Sequence, residues 1–413
     1  MKVLQINVTV NTGSTGRIAE RIGLVLIFHG EQSIIAYGRD SRNSASQTIQ
    51  IGNKLDQQLH GLKTRLLDKH GFGSKAVTLK LIENIVRINP DIIHLHNLHG
   101  YYIHVGVLFN FLKTQNIPVV WTLHDCWAFT GHCAHFVFVK CEKWKTQCNN
   151  CPLSKRYPES LIIDNSFNNY IIKKELFNGL TNMTLVSPSK WLRNLLPESF
   201  LKNYPSLVIN NGVDLSIFMP NEKGVEQYKQ KLGLKEKHIL LGVASVWDRG
   251  KGFKDFLQLS AILDPGDTII LVGLPAKFKK KLPPNIIGIL KTENVDELVM
   301  LYNMATAFIN PTWLDNFPTT NIEALASGTP VITYRTGGSI EAIDENTGII
   351  VEQGDIIGLK EAFDKIKASG INYYSTACRQ RALDLFNEKD RFTDYYQLYK
   401  KKMKELDNNI IKA

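Results

Sequence analysis

The segment Ala307-Phe-Ile-Asn-Pro-Thr-Trp-Leu-Asp315-Asn-Phe-Pro318-Thr-Thr-Asn-Ile-Glu323-Ala-Leu-Ala-Ser-Gly-Thr-Pro330-Val-Ile-Thr-Tyr334 reads as strand, loop, helix, strand. Asp315 falls in the loop, Pro318 suits the first turn of a helix, and Glu323 lies on that helix, so the two carboxylates can face one pocket. The first backbone N–H groups of a helix have no partner within it and its dipole favours negative charge there. An anionic or hydroxyl-rich ligand is expected at this end. The alternative is that Asp315 caps the helix and Glu323 is a surface residue.

Outward from this unit the same alternation continues in both directions. Strands are predicted over residues 2–8, 33–37, 91–96, 118–123, 184–187 and 207–209, with a helix over 17–28. A second round has strands at 239–244, 268–272, 285–290, 307–310, 330–334 and 348–351. Asn210-Asn-Gly-Val-Asp214 followed by Pro220 supplies turn residues between the rounds. Strands alternating with helices predict an α/β fold of parallel sheets. Two Rossmann-like, doubly wound domains are expected, over residues 1–212 and 213–388, with a Cys-rich insertion near 126–152. Residues 389–413 are expected to form a helix that packs back on the first domain. In open α/β sheets ligands sit beyond the carboxyl ends of the strands, which directs attention to the loops after strands and to a central cleft.

At 413 residues the chain exceeds what one core usually serves, and its 44% apolar and 21% charged residues are those of a folded globular protein. The excess of 49 basic over 39 acidic residues, a formal charge of +10, favours an anionic partner. The basic residues are scattered, so nucleic acid is not expected, and runs such as Lys279-Lys280-Lys281 and Lys400-Lys401-Lys402 read as solvated faces. The first eight residues alternate apolar and polar and read as a strand, not as a signal segment. No apolar stretch approaches the roughly 20 residues that span a bilayer. Five of the six cysteines fall between Cys126 and Cys151, too local for a secreted disulfide framework. A cytoplasmic protein is expected, with any membrane contact peripheral.

Four further stretches carry chemistry. Ala244-Ser-Val-Trp-Asp-Arg249-Gly-Lys251-Gly follows the first strand of the second round, where basic groups can neutralise a diphosphate; a solvated basic turn is the alternative. Asn11-Thr-Gly13-Ser-Thr-Gly16 joins the first strand to the first helix and allows a ligand close to backbone, without the full dinucleotide pattern or the lysine of a phosphate loop. His94, His96, His99 and His124 lie at or after strand ends, the first three reading as structural. Cys133, Cys141, Cys148 and Cys151 can furnish four thiolates for a structural zinc, the alternative being a loop of reduced cysteines.

The Asp315–Glu323 segment resembles the Glu-x7-Glu motif of the retaining glycosyltransferases of family four, and the likeness runs over nearly the whole chain. The resemblance implies the GT-B architecture and a sugar transferred from a nucleotide-diphosphate donor with retention and without a required catalytic metal. It implies that Glu323 binds the ribose hydroxyls, while Asp315 and the amides at Asn316, Phe317 and Thr319 hold the transferred sugar and pyrophosphate. Asp315 stands where the family more often has Glu. Lys251-Gly252 resembles the family's Lys-Gly element; the Arg usual several residues earlier is absent, and Arg249 is assigned as its substitute. Gly13 and Gly16 match the loop that admits the acceptor, and Trp121-Thr-Leu-His124-Asp125 resembles the strand-end His that approaches the donor sugar, with Asp125 orienting it or meeting the acceptor. Trp127-Ala-Phe-Thr-Gly-His-Cys133 resembles an exopolysaccharide subgroup, which implies a saccharide or lipid-linked saccharide acceptor and surface polysaccharide assembly at the inner face of an anionic membrane. A nucleotide-sugar epimerase and a catalytically degenerate, zinc-stabilised binding protein remain as alternatives.

Overall fold

The computed structural model describes residues 1–221, 223–234, 238–279 and 281–412; Lys280 of the basic run lies outside them. The chain forms two compact units, Met1–Asn210 with Arg391–Ala413, and Asn211–Asp390.

Unit 1 contains β1 (Lys2–Asn7), α1 (Gly13–Phe28), β2 (Gln32–Tyr37), β3 (Gln47–Gln50), α2 (Lys54–Leu67), α3 (Lys75–Ile88), β4 (Ile92–Leu95), α4 (Val105–Leu112), β5 (Val119–Thr122), α5 (Ser166–Phe177), β6 (Met183–Ser187), α6 (Lys190–Leu195) and β7 (Ser206–Val208). Its strands pair in the order β3-β2-β1-β4-β5-β6-β7, and every pairing is parallel. Helices cover both faces of such a sheet, so central strands are apolar on both sides. That is why Val3, Leu4 and Ile6 of β1 and Ile92, Ile93 and Leu95 of β4 are all fully buried.

Unit 2 contains α7 (Val225–Lys231), β8 (His238–Val243), α8 (Phe253–Ser260), β9 (Asp267–Val272), α9 (Ala276–Lys279), β10 (Ile286–Ile289), α10 (Val295–Met304), β11 (Ala307–Asn310), α11 (Thr319–Ala326), β12 (Val331–Tyr334), β13 (Gly348–Val351), α12 (Ile356–Ser369) and α13 (Ile371–Leu385). Its parallel sheet runs β10-β9-β8-β11-β12-β13. The last helix, α14 (Glu388–Lys412), places Phe392, Tyr395, Leu398 and Tyr399 against Val3, Ile18, Ile92, Val120 and Val186 in a core of unit 1.

Both sheets reverse their strand order once, between β1 and β4 in unit 1 and between β8 and β11 in unit 2. At such a switch point neighbouring loops leave in opposite directions and open a crevice. The loops after β8 and β11 are those that carry Arg249, Lys251 and Asp315.

Two features depart from the sequence reading. The edge strand β3, Gln47-Thr-Ile-Gln, is largely exposed and has no apolar run to announce it. Pro318 sits just before α11 in extended conformation instead of within its first turn.

Candidate active site

In unit 2 the loop after β8 is fixed to the loop after β11 by backbone contacts. Trp313 N–H donates to Gly250 O at 2.8 Å, and the Thr312 hydroxyl donates to the same oxygen at 3.2 Å. The approach is close enough that a side chain at position 252 would place its Cβ 2.3 Å from Pro311 O, and Gly252 has φ of +73°. Only glycine meets both conditions without strain. Asp248 Oδ1 accepts from Lys251 N–H at 3.0 Å, which shapes the turn and turns the lysine side chain across the gap. There Lys251 Nζ meets Asp315 Oδ2 at 2.6 Å. Arg249 is exposed in the same loop, where its carbonyl accepts from Gly252 N–H at 3.3 Å and its side chain forms no hydrogen bond or ion pair among the described residues.

Behind the loop, α11 is held by a buried amide ladder. Asn310 Nδ2 donates to Asn321 Oδ1 at 2.8 Å, and Asn321 Nδ2 donates to Ser339 O at 3.0 Å. Glu323 is half-buried on this helix, and the hydroxyl of the fully buried Tyr302 donates to its Oε2 at 2.9 Å. Burial and the nearby carboxylate push the Tyr302 phenol well up, so it remains a donor. One carboxylate oxygen is thereby anchored, which fixes the direction of the group. Asn316 and Phe317 are buried at the start of this segment, and Phe317 packs on Phe386 with ring centroids 5.8 Å apart. Thr319 opens the helix.

In unit 1, Gly13 opens α1 with φ of +64° and free space where a Cβ would stand, whereas a Cβ on Gly16 would lie 2.6 Å from Thr9 Oγ1. His96 and His124 form a stacked pair joined by Nδ1 and Nε2 at 3.1 Å, and His96 Nε2 reaches Gln5 Oε1 at 3.0 Å. Because the Gln5 oxygen only accepts, His96 carries its proton on Nε2 and takes one from His124 Nε2. Both rings are then neutral, in accord with burial, which draws the His124 pKa down to about 4 and that of His96 well below the usual value. His94 is built in the same way, with Nδ1 at 2.6 Å from the Tyr399 hydroxyl and Nε2 at 2.8 Å from Thr122 Oγ1.

Of the two readings for Asp125, orienting His124 or meeting the acceptor, the first finds no hydrogen bond among the described residues. Asp125 Oδ2 accepts from His99 Nε2 at 2.7 Å and its Oδ1 from Trp127 N–H at 2.9 Å, while His99 Nδ1 faces the Tyr157 hydroxyl at 3.0 Å. Burial would raise the Asp125 carboxyl, but His99 and the Trp127 amide outweigh it and hold it well below the ordinary range. The reason is positional: His99 follows β4 and Asp125 follows β5, and these strands are neighbours.

The cysteines of the insertion are all unpaired thiols. Cys133, Cys141, Cys148 and Cys151 line one small cavity together with His132. Gly131 N–H donates to Cys148 Sγ at 3.3 Å, and the hydrogen bond from Cys133 draws the Cys151 thiol down to about 7. Two residues missed in the sequence support this loop. His132 Nδ1 reaches the fully buried Asp68 at 2.5 Å, and Lys173, also fully buried, donates to Trp127 O at 2.8 Å and Thr130 O at 3.0 Å. Among the described residues, the one trio of metal-competent side chains with ligand atoms all within 4.8 Å is Asp264, Asp267 and Asp364. Lys367 already pairs with all three. No three of the four sulfurs lie mutually within that distance.

The profile of the family described as Glycosyl transferases group 1 matches residues 224–382, the span that contains the whole unit 2 site. The chain is 25% identical over 376 residues to the putative colanic acid biosynthesis glycosyl transferase WcaC of Escherichia coli K12, covering 87% of this chain and 89% of that protein. Residues 224–382 thus carry a group 1 glycosyltransferase domain. Among other relatives of this glycosyltransferase is the capsular polysaccharide biosynthesis glycosyltransferase CapM of Staphylococcus aureus, 26% identical over 225 residues, 48% of this chain and 55% of that one. Its fold is GT-B. Sucrose-phosphate synthase from Thermosynechococcus elongatus superposes with a TM-score of 0.71 at 18% identity, over 97% of this chain and 99% of that chain. Anabaena Alr3699/HepE, solved in complex with UDP, superposes with a TM-score of 0.69 at 14% identity, over 97% and 100%. The matches give no support to the epimerase or to the degenerate binding protein.

Proposed function

We propose that this glycosyltransferase moves a sugar from a nucleotide-diphosphate donor to a saccharide or lipid-linked saccharide acceptor, with retention, in surface polysaccharide assembly. The observation that carries the reading is the convergence of Lys251, Arg249, Asp315 and the start of α11 at the switch point of unit 2, with Glu323 anchored one helical turn behind. Arg249, Lys251 and the backbone amides at Asn316, Phe317 and Thr319 hold the diphosphate, where fixed positive charge is worth most as the bond to the sugar breaks. Glu323 takes the ribose hydroxyls and Asp315 the transferred sugar. The bond between the anomeric carbon and the phosphate oxygen breaks, a bond to the acceptor oxygen forms on the same face, and the acceptor proton passes to the departing phosphate. Gly13, Gly16 and His124 serve the acceptor and the sugar; His124, neutral at physiological pH, does so through hydrogen bonds and not as a cation. No residue of this scheme calls for a catalytic metal.

A structural zinc in the insertion is part of the proposal. The donor chemistry fits, since four thiols face one cavity and the Asp68-paired His132 supplies nearby positive charge for thiolates. Zinc would draw the four sulfurs together. Metal analysis of the purified protein is expected to find one zinc per chain, lost in Cys148→Ser; a folded protein free of zinc would refute it. The enzyme is placed in the cytoplasm, in peripheral contact with an anionic membrane. Among the described residues no helix is long and apolar enough to cross one.

The donor reading is tested by thermal-shift screening against nucleotide diphosphates and their sugar conjugates, because a ligand that binds only the folded state raises its stability. A selective shift that disappears in Glu323→Ala is expected. A shift that survives unchanged in that variant would sink the assignment.

A further inference from the structure

Helix α2 has its apolar residues on the wrong side for a core. Leu55, Leu59, Leu62 and Leu66 follow one another at spacings of four, three and four, which keeps all four side chains within an arc of about 60°. His60 and Thr64, which are buried, occupy the opposite arc and attach the helix to unit 1. The leucine stripe therefore points at solvent, with Leu55 67%, Leu59 65% and Leu62 54% exposed. It is extended at the carboxyl end of the helix, where Leu161 N–H donates to Arg65 O at 2.7 Å. That bond sets the run Leu161-Ile162-Ile163, with Ile162 71% exposed, beside the end of the stripe. An apolar strip of this extent on a soluble protein marks an interaction surface.

The charges around it identify the occupant. Lys54, Arg65 and Lys69 are exposed and none is in an ion pair among the described residues, and Lys155 lies beside the same run with its Nζ 2.6 Å from Leu161 O. The acidic groups nearby are spent internally. Asp56 accepts from Asn53 N–H as part of the helix cap, Asp68 is buried against His132, and Asp164 takes the amides of Cys151 and Ser166. Glu159 is half-buried. A leucine face fringed by bases, with the neighbouring exposed acid Asp164 held by two backbone amides, matches the boundary between anionic headgroups and acyl chains.

We infer that the solvent-facing side of α2, together with Leu161–Ile163, is the surface by which this protein docks on an anionic bilayer, with the leucines and Ile162 seated among the acyl chains and Lys54, Arg65, Lys69 and Lys155 among the headgroups. The inference rests on the peripheral membrane contact proposed above and names the face that makes it. None of these residues belongs to the proposed donor or acceptor machinery.

The test is co-sedimentation of the full chain with vesicles of phosphatidylglycerol and phosphatidylcholine, and with phosphatidylcholine alone. The protein is expected to bind the anionic vesicles, and Leu59→Ser with Leu62→Ser to weaken that binding at least about tenfold, since each change withdraws a side chain from the apolar phase. Because both side chains are exposed, the thermal midpoint and the donor-induced shift are expected to stay as they are. Lys54→Gln with Arg65→Gln is expected to weaken binding at low salt. If the double serine variant binds as well as the parent, the surface is overturned while the membrane contact stands; if the parent ignores anionic vesicles, both fall. A parent that self-associates in solution, and loses this in the serine variant, would make the face a protein interface and overturn the proposal.

Discussion

Lys251 Nζ lies 2.6 Å from Asp315 Oδ2, joining two loops that are 64 residues apart in sequence and adjacent only because β8 and β11 are neighbours in the sheet. The lysine side chain is 39% and the aspartate 18% exposed, so water screens the pair and its contribution to stability is small. In the proposed donor site its worth is positional: the ammonium is held in place before the donor arrives.

Lys251→Ala is expected to lower turnover about a hundredfold, the usual loss when one fixed charge is taken from a developing anion. Stability should change by no more than about 0.5 kcal/mol. Denaturant melts and initial rates separate the two effects. A variant that loses stability and keeps its rate would make the pair structural.

Tyr302→Phe removes the hydroxyl that anchors Glu323 Oε2 and leaves the ring in place. Donor affinity is expected to fall about tenfold, a loss comparable to one hydrogen bond to a charged group. Glu323→Ala should fall further, and the double variant little beyond Glu323→Ala alone. Additive losses in titration calorimetry would show that the tyrosine does not act through the glutamate.

Gly252→Ala forces a Cβ toward Pro311 O in a left-handed backbone. The substitution is expected to destabilise unit 2 by about 2 kcal/mol or to move the loop away from Asp315. Donor-induced thermal shift should vanish in either case; a normal shift would place the donor elsewhere.

Burial lowers the pKa of His60 to about 3 and of His124 to about 4, and holds His70, His94 and His96 well below the ordinary value. The unfolded chain then binds more protons than the folded one between about pH 6.5 and 4, so stability is full above that window and declines through it as pH falls. Each such ring contributes a slope of about 1.4 kcal/mol per pH unit within the window. Thermal midpoints level above pH 7 and falling steeply below pH 6 are expected. A midpoint that holds to pH 5 would mean that the rings are charged in the fold.

Strands such as β9, Asp267-Thr-Ile-Ile-Leu-Val, were legible because a parallel sheet under two helical layers demands continuous apolar runs, whereas β1 was read from the alternation of its residues. The edge strand β3 was not, since Gln47-Thr-Ile-Gln offers no apolar pattern to read. The spacing of Asp315 and Glu323 located a loop and the helix behind it, yet the partner of each carboxylate lay out of reach of local reasoning. Lys251 becomes the neighbour of Asp315 through strand order, and Tyr302 reaches Glu323 from another helix. Asp125 was read as orienting the histidine next to it or meeting the acceptor, and its hydrogen-bond partner His99 comes from strand order. Lys173 did leave a signal, because it falls among Ser166, Asn169, Tyr170 and Phe177 on the buried side of α5. A lysine at the apolar spacing of a helix asks for oxygen partners, and carbonyls of the cysteine loop provide them.

Helix α14 gives the order of assembly a direction. Tyr399 satisfies the buried His94, and Thr122 Oγ1 donates to the Tyr395 hydroxyl at 3.2 Å, so strands from the first third of the chain wait for residues that follow all of unit 2. As the polypeptide leaves the ribosome, unit 2 has every element it requires while the domain that emerged before it still lacks part of its interior. The segment made first is closed last, and until then the open back of its sheet is the place where a chaperone would find exposed apolar surface.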